Sequence, residues 1–346
     1  MLWKNFLTYS LTALFVSAIP IESSNTSLTA SSSYLEYNDL VDYANIASIA
    51  YCLKRGLGPG ELGNSDTNCP LKKCKQPKYK NIQVLATFDF NDWGEVGSGY
   101  YAIDHPSKRI LLVFRGTSST RDWIGDFDTV PVKYEPMVNS GKYFKGRSKK
   151  VSCEGCMAHR GFYNFVRNNC AKVISEVADL KDANPDYKLV IVGHSLGAAL
   201  ALLSGIEFQM MGLDPLVVSF GGPKVGNAEL MNFADTHFNT HKTISHINAN
   251  GRFKSGFIRV THKNDMVPYL PPTSYLFEHG GFEYFINKKN LPHNPENVER
   301  RGKNYVVNGI SQEAFPSLGK MWPDSMGKNE HTHYLMKITG CDDKLK

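Results

Sequence analysis

The chain has 346 residues, a hydrophobic content of 42%, a charged content of 21% and a formal net charge of +6. These proportions are those of a globular protein and exclude the disordered and fibrous classes. The positive charge is spread along the chain instead of being gathered in an arginine-rich arm, so nucleic acid is not an expected partner.

The N-terminal residues have the order of a secretory signal peptide. One basic residue, Lys4, precedes a mostly apolar stretch that ends in the small residues Ser17 and Ala18. A transmembrane helix needs about 20 mostly apolar residues, and this run is shorter and interrupted by threonine and serine. We therefore predict a signal peptide at residues 1–18, no transmembrane span, and export to the cell exterior or the cell wall.

Residues 19–39 are rich in serine and threonine, and we predict that they form a flexible lead-in segment. This segment contains one N-glycosylation acceptor, Asn25, in the triplet Asn25-Thr26-Ser27. A single domain is predicted for residues 40–346, because no internal repeat and no second boundary is visible. Seven cysteines in an exported chain indicate disulfide bonds, and their odd number leaves at least one unpaired within the chain.

Apolar runs of strand composition alternate with longer helix-like segments along the rest of the chain. The predicted strands span residues 99–103, 110–114, 189–192, 216–220 and 257–261. The predicted helices span residues 162–180, 196–211 and 228–238. This alternation predicts an α/β fold, with a parallel or mixed sheet that carries helices on its faces.

The turn between the strand at 189–192 and the next helix has the sequence Gly193-His194-Ser195-Leu196-Gly197. This is a Gly-x-Ser-x-Gly motif in the strand, turn and helix context that the motif requires. The flanking glycines avoid side-chain clashes where the strand and the helix pack closely. We predict that Ser195 is a nucleophile whose hydroxyl is presented above the sheet and not buried.

A serine nucleophile needs a base that removes its proton, and the base needs an acid that orients it. In this arrangement the chain order is serine, acid, histidine. Asp265 is the predicted acid because it lies in a loop directly after a strand, whereas Asp214 lies in a turn and Asp235 in a predicted helix. Four histidines follow Asp265, and periodicity does not choose between them: His279, His293, His331 and His333.

Five segments, in this order, resemble those of the fungal class 3 lipases, the group of the Rhizomucor and Thermomyces lipases. They are Phe114-Arg115-Gly116-Thr117, His159-Arg160-Gly161-Phe162, the Ser195 motif, Gly222-Pro223-Lys224-Val225-Gly226-Asn227, and Asn264-Asp265-Met266-Val267-Pro268. The resemblance covers about residues 40–341 and implies an α/β-hydrolase fold, with a central mostly parallel sheet, flanking helices and a short lid helix. In that family the catalytic histidine stands three residues before a tyrosine near the C terminus. This implies His331 as the base, with His333 as the alternative.

The resemblance also implies the surroundings of the nucleophile. The oxyanion hole would consist of the backbone N–H groups of Leu196 and Thr117, with the Thr117 hydroxyl as a further donor. Residues 118–127 correspond to the lid of the family. Its apolar side chains, Trp123, Ile124 and Phe127, would cover the site in water and turn outward at a lipid surface. A surface helix packed permanently on the core is the alternative for this segment.

The resemblance pairs the cysteines as well. It implies disulfide bonds between Cys52 and Cys341 and between Cys153 and Cys156. A bond between Cys69 and Cys74 is a weaker inference, and Cys170 would then be a buried free thiol.

The implied activity is that of a secreted triacylglycerol lipase, which forms an acyl-enzyme at Ser195 and needs no metal or organic cofactor. Its partners would be a lipid–water interface and an acylglycerol substrate. A short-chain, feruloyl or phospholipid esterase is the nearer alternative. A catalytically silent binding protein on the same scaffold is the more distant one, and the intact set of Ser195, Asp265 and His331 argues against it.

Overall fold

A large sheet organises the protein, and its strands are seen in a computed structural model that describes residues 30–90, 97–117, 129–142, 144, 146–147, 149–302 and 328–342. The strands are β1 (Gly60–Glu61), β2 (Gln83–Phe88), β3 (Gly99–Asp104), β4 (Arg109–Phe114), β5 (Pro131–Lys133), β6 (Met157–His159), β7 (Lys188–His194), β8 (Leu216–Phe220), β9 (Gly256–His262), β10 (Phe282–Ile286) and β11 (Val298–Gly302). Within these residues, nine strands form the sheet in the order β1-β2-β3-β4-β7-β8-β9-β10-β11, while β5 and β6 pair separately.

The centre of the large sheet is parallel. β4, β7, β8, β9 and β10 pair in parallel along their length, whereas β1 to β4 and the β10–β11 pair are antiparallel. Parallel neighbours require crossover segments, and helices supply them here. The carboxyl ends of the parallel strands therefore lie at one edge of the sheet, where the loops that follow them meet.

Helices cover both faces of this sheet. They are α1 (Ala30–Ile49), α2 (Arg160–Phe165), α3 (Ala171–Ala183), α4 (Leu196–Met210), α5 (Ala228–His237), α6 (Thr240–Asn250) and α7 (Lys328–Thr332), and a π-helical turn, Val166–Cys170, joins α2 to α3. Short 3-10 turns occur at Ala50–Arg55, Ser65–Thr67, Lys72–Lys75, Met137–Asn139, Val267–Tyr269, Thr273–Tyr275 and Pro295–Asn297. The α/β-hydrolase architecture expected from the sequence is confirmed.

Two apolar clusters, one on each face of the sheet, form the core. Successive side chains of a strand point to opposite faces, so Leu112 of β4 packs in the cluster that contains α3 and α4, whereas Val113 packs in the cluster that contains α1. Helix α4 is buried almost throughout, as its Ala- and Leu-rich sequence requires. Packing in the core therefore fixes the N-terminal end of this helix, which follows β7.

The first helix of the described chain begins before the predicted domain does. Helix α1 starts at Ala30 and includes ten residues of the segment expected to be a flexible lead-in. Glu36 in this helix is buried, accepts a hydrogen bond of 2.6 Å from the Tyr284 hydroxyl and forms an ion pair with Arg300. These partners lie about 250 residues away in sequence. The serine and threonine content of the segment therefore could not predict that it is helical and packed against the sheet.

Three disulfide bonds link the expected cysteines. Cys52 is bonded to Cys341, Cys69 to Cys74 and Cys153 to Cys156, and Cys170 is a buried free thiol. The first bond joins the turn after α1 to the segment after α7. Among the residues described, no helix combines the length and the apolar character that a membrane span requires.

Candidate active site

Ser195 occupies the sharp turn between β7 and α4. Its φ of +58° and ψ of −131° lie outside the regions that residues with side chains usually adopt. A Cβ atom on Gly193 would overlap the carbonyl oxygen of Gly197, and one on Gly197 would overlap that of Phe114. Only glycine fits at these two positions, which explains the spacing of the motif.

The Ser195 side chain is buried, with 1% of the residue exposed. The expectation that it is presented and not buried was therefore wrong. Ser195 is buried by local packing. Its hydroxyl is within hydrogen-bond distance of the His331 ring, and the Gly116 backbone packs against its Cβ. The turn still places Ser195 at the carboxyl edge of the parallel strands, as the motif predicted.

The structure brings Ser195, His331 and Asp265 into one hydrogen-bonded chain. His331 Nε2 lies 2.8 Å from Ser195 Oγ, and His331 Nδ1 lies 2.9 Å from Asp265 Oδ2 and 3.0 Å from Oδ1. A carboxylate only accepts hydrogen bonds, so Nδ1 carries the proton of the neutral ring. The lone pair of Nε2 therefore faces the serine hydroxyl, which is the arrangement that proton removal requires.

The alternatives weighed from the sequence make other contacts. Asp235 accepts hydrogen bonds from the Thr240 hydroxyl and the Gly281 N–H, and Asp214 lies in the irregular segment before β8 with a φ of +45°. Among the histidines, His279 contacts the carbonyl oxygen of Pro268, His293 accepts from the Leu335 N–H, and His333 contacts the Thr332 hydroxyl.

His194 holds the backbone of His331 in place, a role that the sequence did not indicate. His194 Nε2 lies 2.8 Å from the carbonyl oxygen of His331, and its Nδ1 lies 2.6 Å from the Tyr51 hydroxyl. Burial, followed by electrostatic interaction with nearby His331, lowers the pKa of His194 well below its usual value. The ring is therefore neutral, so its Nε2–H donates to His331 while its Nδ1 accepts from Tyr51.

Tyr334 supports the acid, a role that the sequence did not indicate. Its hydroxyl donates to Asp265 Oδ2, and Oδ1 of the same carboxylate accepts from the Val267 N–H at 3.0 Å. Burial and the nearby Asp265 carboxylate raise the pKa of Tyr334 well above its usual value, so the phenol stays protonated as a donor. Asp265 is fully buried, and these donors compensate the desolvation of its charge.

Leu196 and Thr117, the expected oxyanion donors, lie in the two segments that meet at Ser195. Leu196 is the first residue of α4, where backbone N–H groups have no partner within the helix. Thr117 follows Gly116, which packs against Ser195. The Thr117 hydroxyl is buried and has no hydrogen-bond partner among the residues that the structure describes.

Several predicted features lie outside the described residues, namely the signal peptide at 1–18, the acceptor Asn25 and the lid side chains Trp123, Ile124 and Phe127. Their roles stay predictions from the sequence. In the described part of the chain, no group of His, Cys, Asp or Glu side chains is arranged to hold a metal ion.

Comparison with known proteins places these residues in a family. The family described as Lipase (class 3) matches residues 111–275, which contain Thr117, the Ser195 motif and Asp265. The Saccharomyces cerevisiae protein named "Putative lipase LIH1" is 35% identical over 88% of this chain and 94% of its own. The "Secreted mono- and diacylglycerol lipase A" of Penicillium camembertii is 30% identical over 66% of this chain and 63% of its own.

A solved structure agrees in its fold. The nonglycosylated LIP2 lipase of Yarrowia lipolytica is similar with a TM-score of 0.66 and 27% identity, covering 87% of this chain and 94% of that chain. The match thus extends well beyond the motif segments, into the helices and strands that carry them. With its α/β-hydrolase fold and its Ser195 turn, this chain belongs to the class 3 lipases, a family of carboxylic ester hydrolases.

Proposed function

We propose that the protein is a secreted lipase that hydrolyses the acyl esters of glycerol with Ser195, His331 and Asp265 as its catalytic triad. The main support is the continuous hydrogen-bonded chain from Ser195 Oγ through His331 to Asp265, with bonds of 2.8 and 2.9 Å. These lengths are within the reach required of a nucleophile, its base and the acid that orients the base. The tautomer of His331 follows from the same geometry.

The first half of the reaction forms an acyl-enzyme. Ser195 Oγ attacks the ester carbonyl carbon, and its proton passes to His331 Nε2. The carbonyl oxygen becomes an oxyanion, which accepts hydrogen bonds from the N–H groups of Leu196 and Thr117 and from the Thr117 hydroxyl. The imidazolium then gives its proton to the glycerol oxygen as the C–O bond to that oxygen breaks.

The second half releases the fatty acid. A water molecule takes the place of the serine as nucleophile, its proton passes to His331, and the proton returns to Ser195 Oγ when the acyl bond breaks. Asp265 stabilises the imidazolium in both halves. The ordered N–H groups at the start of α4 need little reorganisation, because the helix is packed in the core.

Exposed apolar side chains near the site support action at a lipid surface. Four large hydrophobic residues of the described chain are exposed, and three of them lie on loops at the carboxyl edge of the sheet: Val130, Tyr275 and Leu276. Tyr275 and Leu276 follow β9 and Asp265, and Val130 hydrogen-bonds Arg160, whose neighbour His159 bonds the loop after β8. Leu276 is 71% exposed and has a φ of +68°, which is uncommon for leucine. Exposed apolar groups on loops at the edge of the sheet that carries Ser195 fit contact with acyl chains.

The relatives support the substrate and the export. The Penicillium relative is described as secreted and as acting on mono- and diacylglycerols, and residues 1–18 of this chain have the order of a signal peptide. A soluble or phospholipid ester remains the competing substrate. Measuring kcat/KM on esters that differ in acyl-chain length and in head group distinguishes between these substrate classes.

Ser195→Ala tests the proposal. We expect loss of more than about 99.9% of kcat on tributyrin, with an unchanged melting temperature, because the hydroxyl performs the chemistry. An organophosphate should label wild-type protein once, at Ser195. Ser204→Ala is the matched control, since Ser204 is a buried serine on the same helix, α4, and should leave activity and labelling intact. Activity of Ser195→Ala above about a tenth of wild type contradicts the assignment.

A further inference from the structure

His262 makes two hydrogen bonds that together specify its protonation state. It is the last residue of β9, three residues before Asp265, and only 1% of it is exposed. Its Nδ1 lies 2.8 Å from the carbonyl oxygen of Glu330, and its Nε2 lies 2.8 Å from the carbonyl oxygen of Lys288. Carbonyl oxygens only accept hydrogen bonds, whereas a neutral imidazole has a single N–H. Both contacts are favourable only if the ring carries two N–H groups and is an imidazolium.

Charged groups of both signs lie in the segments that His262 joins. Glu330, one of the two residues that it joins, has a buried carboxylate that lies 3.3 Å from Lys289 Nζ, and Asp265 follows in the loop after β9. Tyr334, whose hydroxyl donates to Asp265, packs edge-on against the His262 ring. The neighbouring imidazole of His293 is 4.6 Å away between ring centres, and burial, followed by electrostatic interaction with the His262 ring, lowers the pKa of His293 to about 4. His293 therefore adds no second positive charge near neutral pH.

One bond of His262 is directed at the residue before the catalytic base. Glu330 and His331 belong to α7, which has only five residues, so contacts outside the helix must determine the position of His331. His194 binds the carbonyl group of His331, and His262 binds that of Glu330. Buried imidazoles thus hold two consecutive peptide groups, and they come from the ends of β7 and β9, the strands that precede Ser195 and Asp265.

We propose that His262 is a positioning residue that, as an imidazolium, fastens the peptide group between Glu330 and His331 and so keeps the His331 ring within reach of Ser195. This inference rests on the proposed function, because it assigns His331 as the base. The second bond, to Lys288, holds the His262 ring in the orientation in which Nδ1 faces Glu330.

Two amide substitutions of His262 each keep one of its two hydrogen bonds and remove the other. In His262→Asn the amide nitrogen takes about the place of Nδ1 and keeps the bond to Glu330, whereas in His262→Gln it takes about the place of Nε2 and keeps the bond to Lys288. Each variant loses one hydrogen bond and the charge, so we expect similar falls in melting temperature. We expect kcat on a soluble butyrate ester to fall about 100-fold in His262→Gln, about fivefold or less in His262→Asn, and KM to change less than about twofold in both.

A structural role alone predicts equal losses of kcat in the two variants, and this result, or the reverse order, would overturn the proposal. The protonation state is measured independently of activity and of folding in the variants. In a long-range ¹H–¹⁵N spectrum of wild-type protein labelled at histidine, His262 should show two protonated nitrogens at pH 7, whereas His194 should show one. A single protonated nitrogen at His262 refutes the imidazolium. If wild-type protein lacks esterase activity, the proposed function fails while this spectrum still decides the state of His262.

Discussion

Asp265→Asn should stop turnover by reversing the tautomer of the base. The Val267 N–H donates to Oδ1 of Asp265 at 3.0 Å, so the amide oxygen of asparagine must take that place to avoid opposing an N–H with an NH₂ group. The NH₂ group then takes the place of Oδ2, between the Tyr334 hydroxyl and His331 Nδ1. There it donates to Nδ1, and the single proton of the neutral imidazole moves to Nε2.

The moved proton faces Ser195 Oγ across the 2.8 Å contact, so Nε2 no longer accepts the serine proton. Loss of the buried carboxylate also removes the charge that stabilises the imidazolium. We expect kcat to fall by about 10⁴, which is about 5.5 kcal/mol in activation free energy. KM should change little, because Asp265 is fully buried behind His331 and does not contact substrate.

The assay is hydrolysis of a soluble p-nitrophenyl ester at pH 8, with thermal unfolding measured alongside. Asp235→Asn is the matched control, since Asp235 is a buried aspartate that also accepts an N–H and a hydroxyl, from Gly281 and Thr240. The reasoning is refuted if Asp265→Asn keeps more than about a hundredth of the wild-type kcat while remaining folded, or if Asp235→Asn loses as much.

Two further predictions concern the surface and the core. Leu276→Ser should lower activity on emulsified triacylglycerol about fivefold to thirtyfold and change hydrolysis of a soluble ester less than about twofold, because the exposed part of this leucine contributes about 1 to 2 kcal/mol when it enters an apolar phase. The control, Tyr34→Ser, removes an exposed side chain on α1, and equal effects of the two substitutions would contradict a lipid contact at Leu276. Burial raises the pKa of Glu207 in α4 from 4.5 to about 7, so the folded protein holds this proton more tightly than the unfolded chain does. The contribution of Glu207 to the free energy of unfolding should therefore be greatest below pH 4.5 and be lost as the pH rises through about 7. Urea unfolding between pH 5 and 8 measures it, and a Glu207→Gln variant with an unchanged pH dependence would disprove it.

Four of the five parallel strands, β4, β7, β8 and β9, could be predicted to within two residues because their sequences contain the necessary information locally, whereas β10 was not predicted. β7 and β8 are buried on both faces, so each reads as a continuous apolar, β-branched run. β11 escaped prediction, since its sequence Val-Glu-Arg-Arg-Gly has no apolar alternation and its residues are only half-buried. Its place at the sheet edge depends on pairing with β10 and on the ion pair between Arg300 and Glu36.

The active-site residues also include some that the local sequence predicts and some that it does not. Ser195 and Asp265 lie in short segments whose neighbours define a turn and a strand end, and their positions followed from those neighbours. His331 needed the family resemblance, because 66 residues separate it from Asp265 and nothing local distinguishes it from the other histidines. The roles of His194, Tyr51 and His262 could not be predicted, since each depends on which carbonyl or hydroxyl group the fold brings to its ring.

At position 195 the residue that would most favour stability differs from the residue that activity requires. A residue with a side chain at φ +58° and ψ −131° costs of the order of 1–3 kcal/mol, whereas glycine adopts this region freely. Glycine at position 195 would relieve the strain and delete the nucleophile together. A library of variants sorted for heat resistance alone would therefore enrich inactive chains at this codon. Any programme that raises the melting temperature must keep an activity screen in every round, or must hold Ser195 constant.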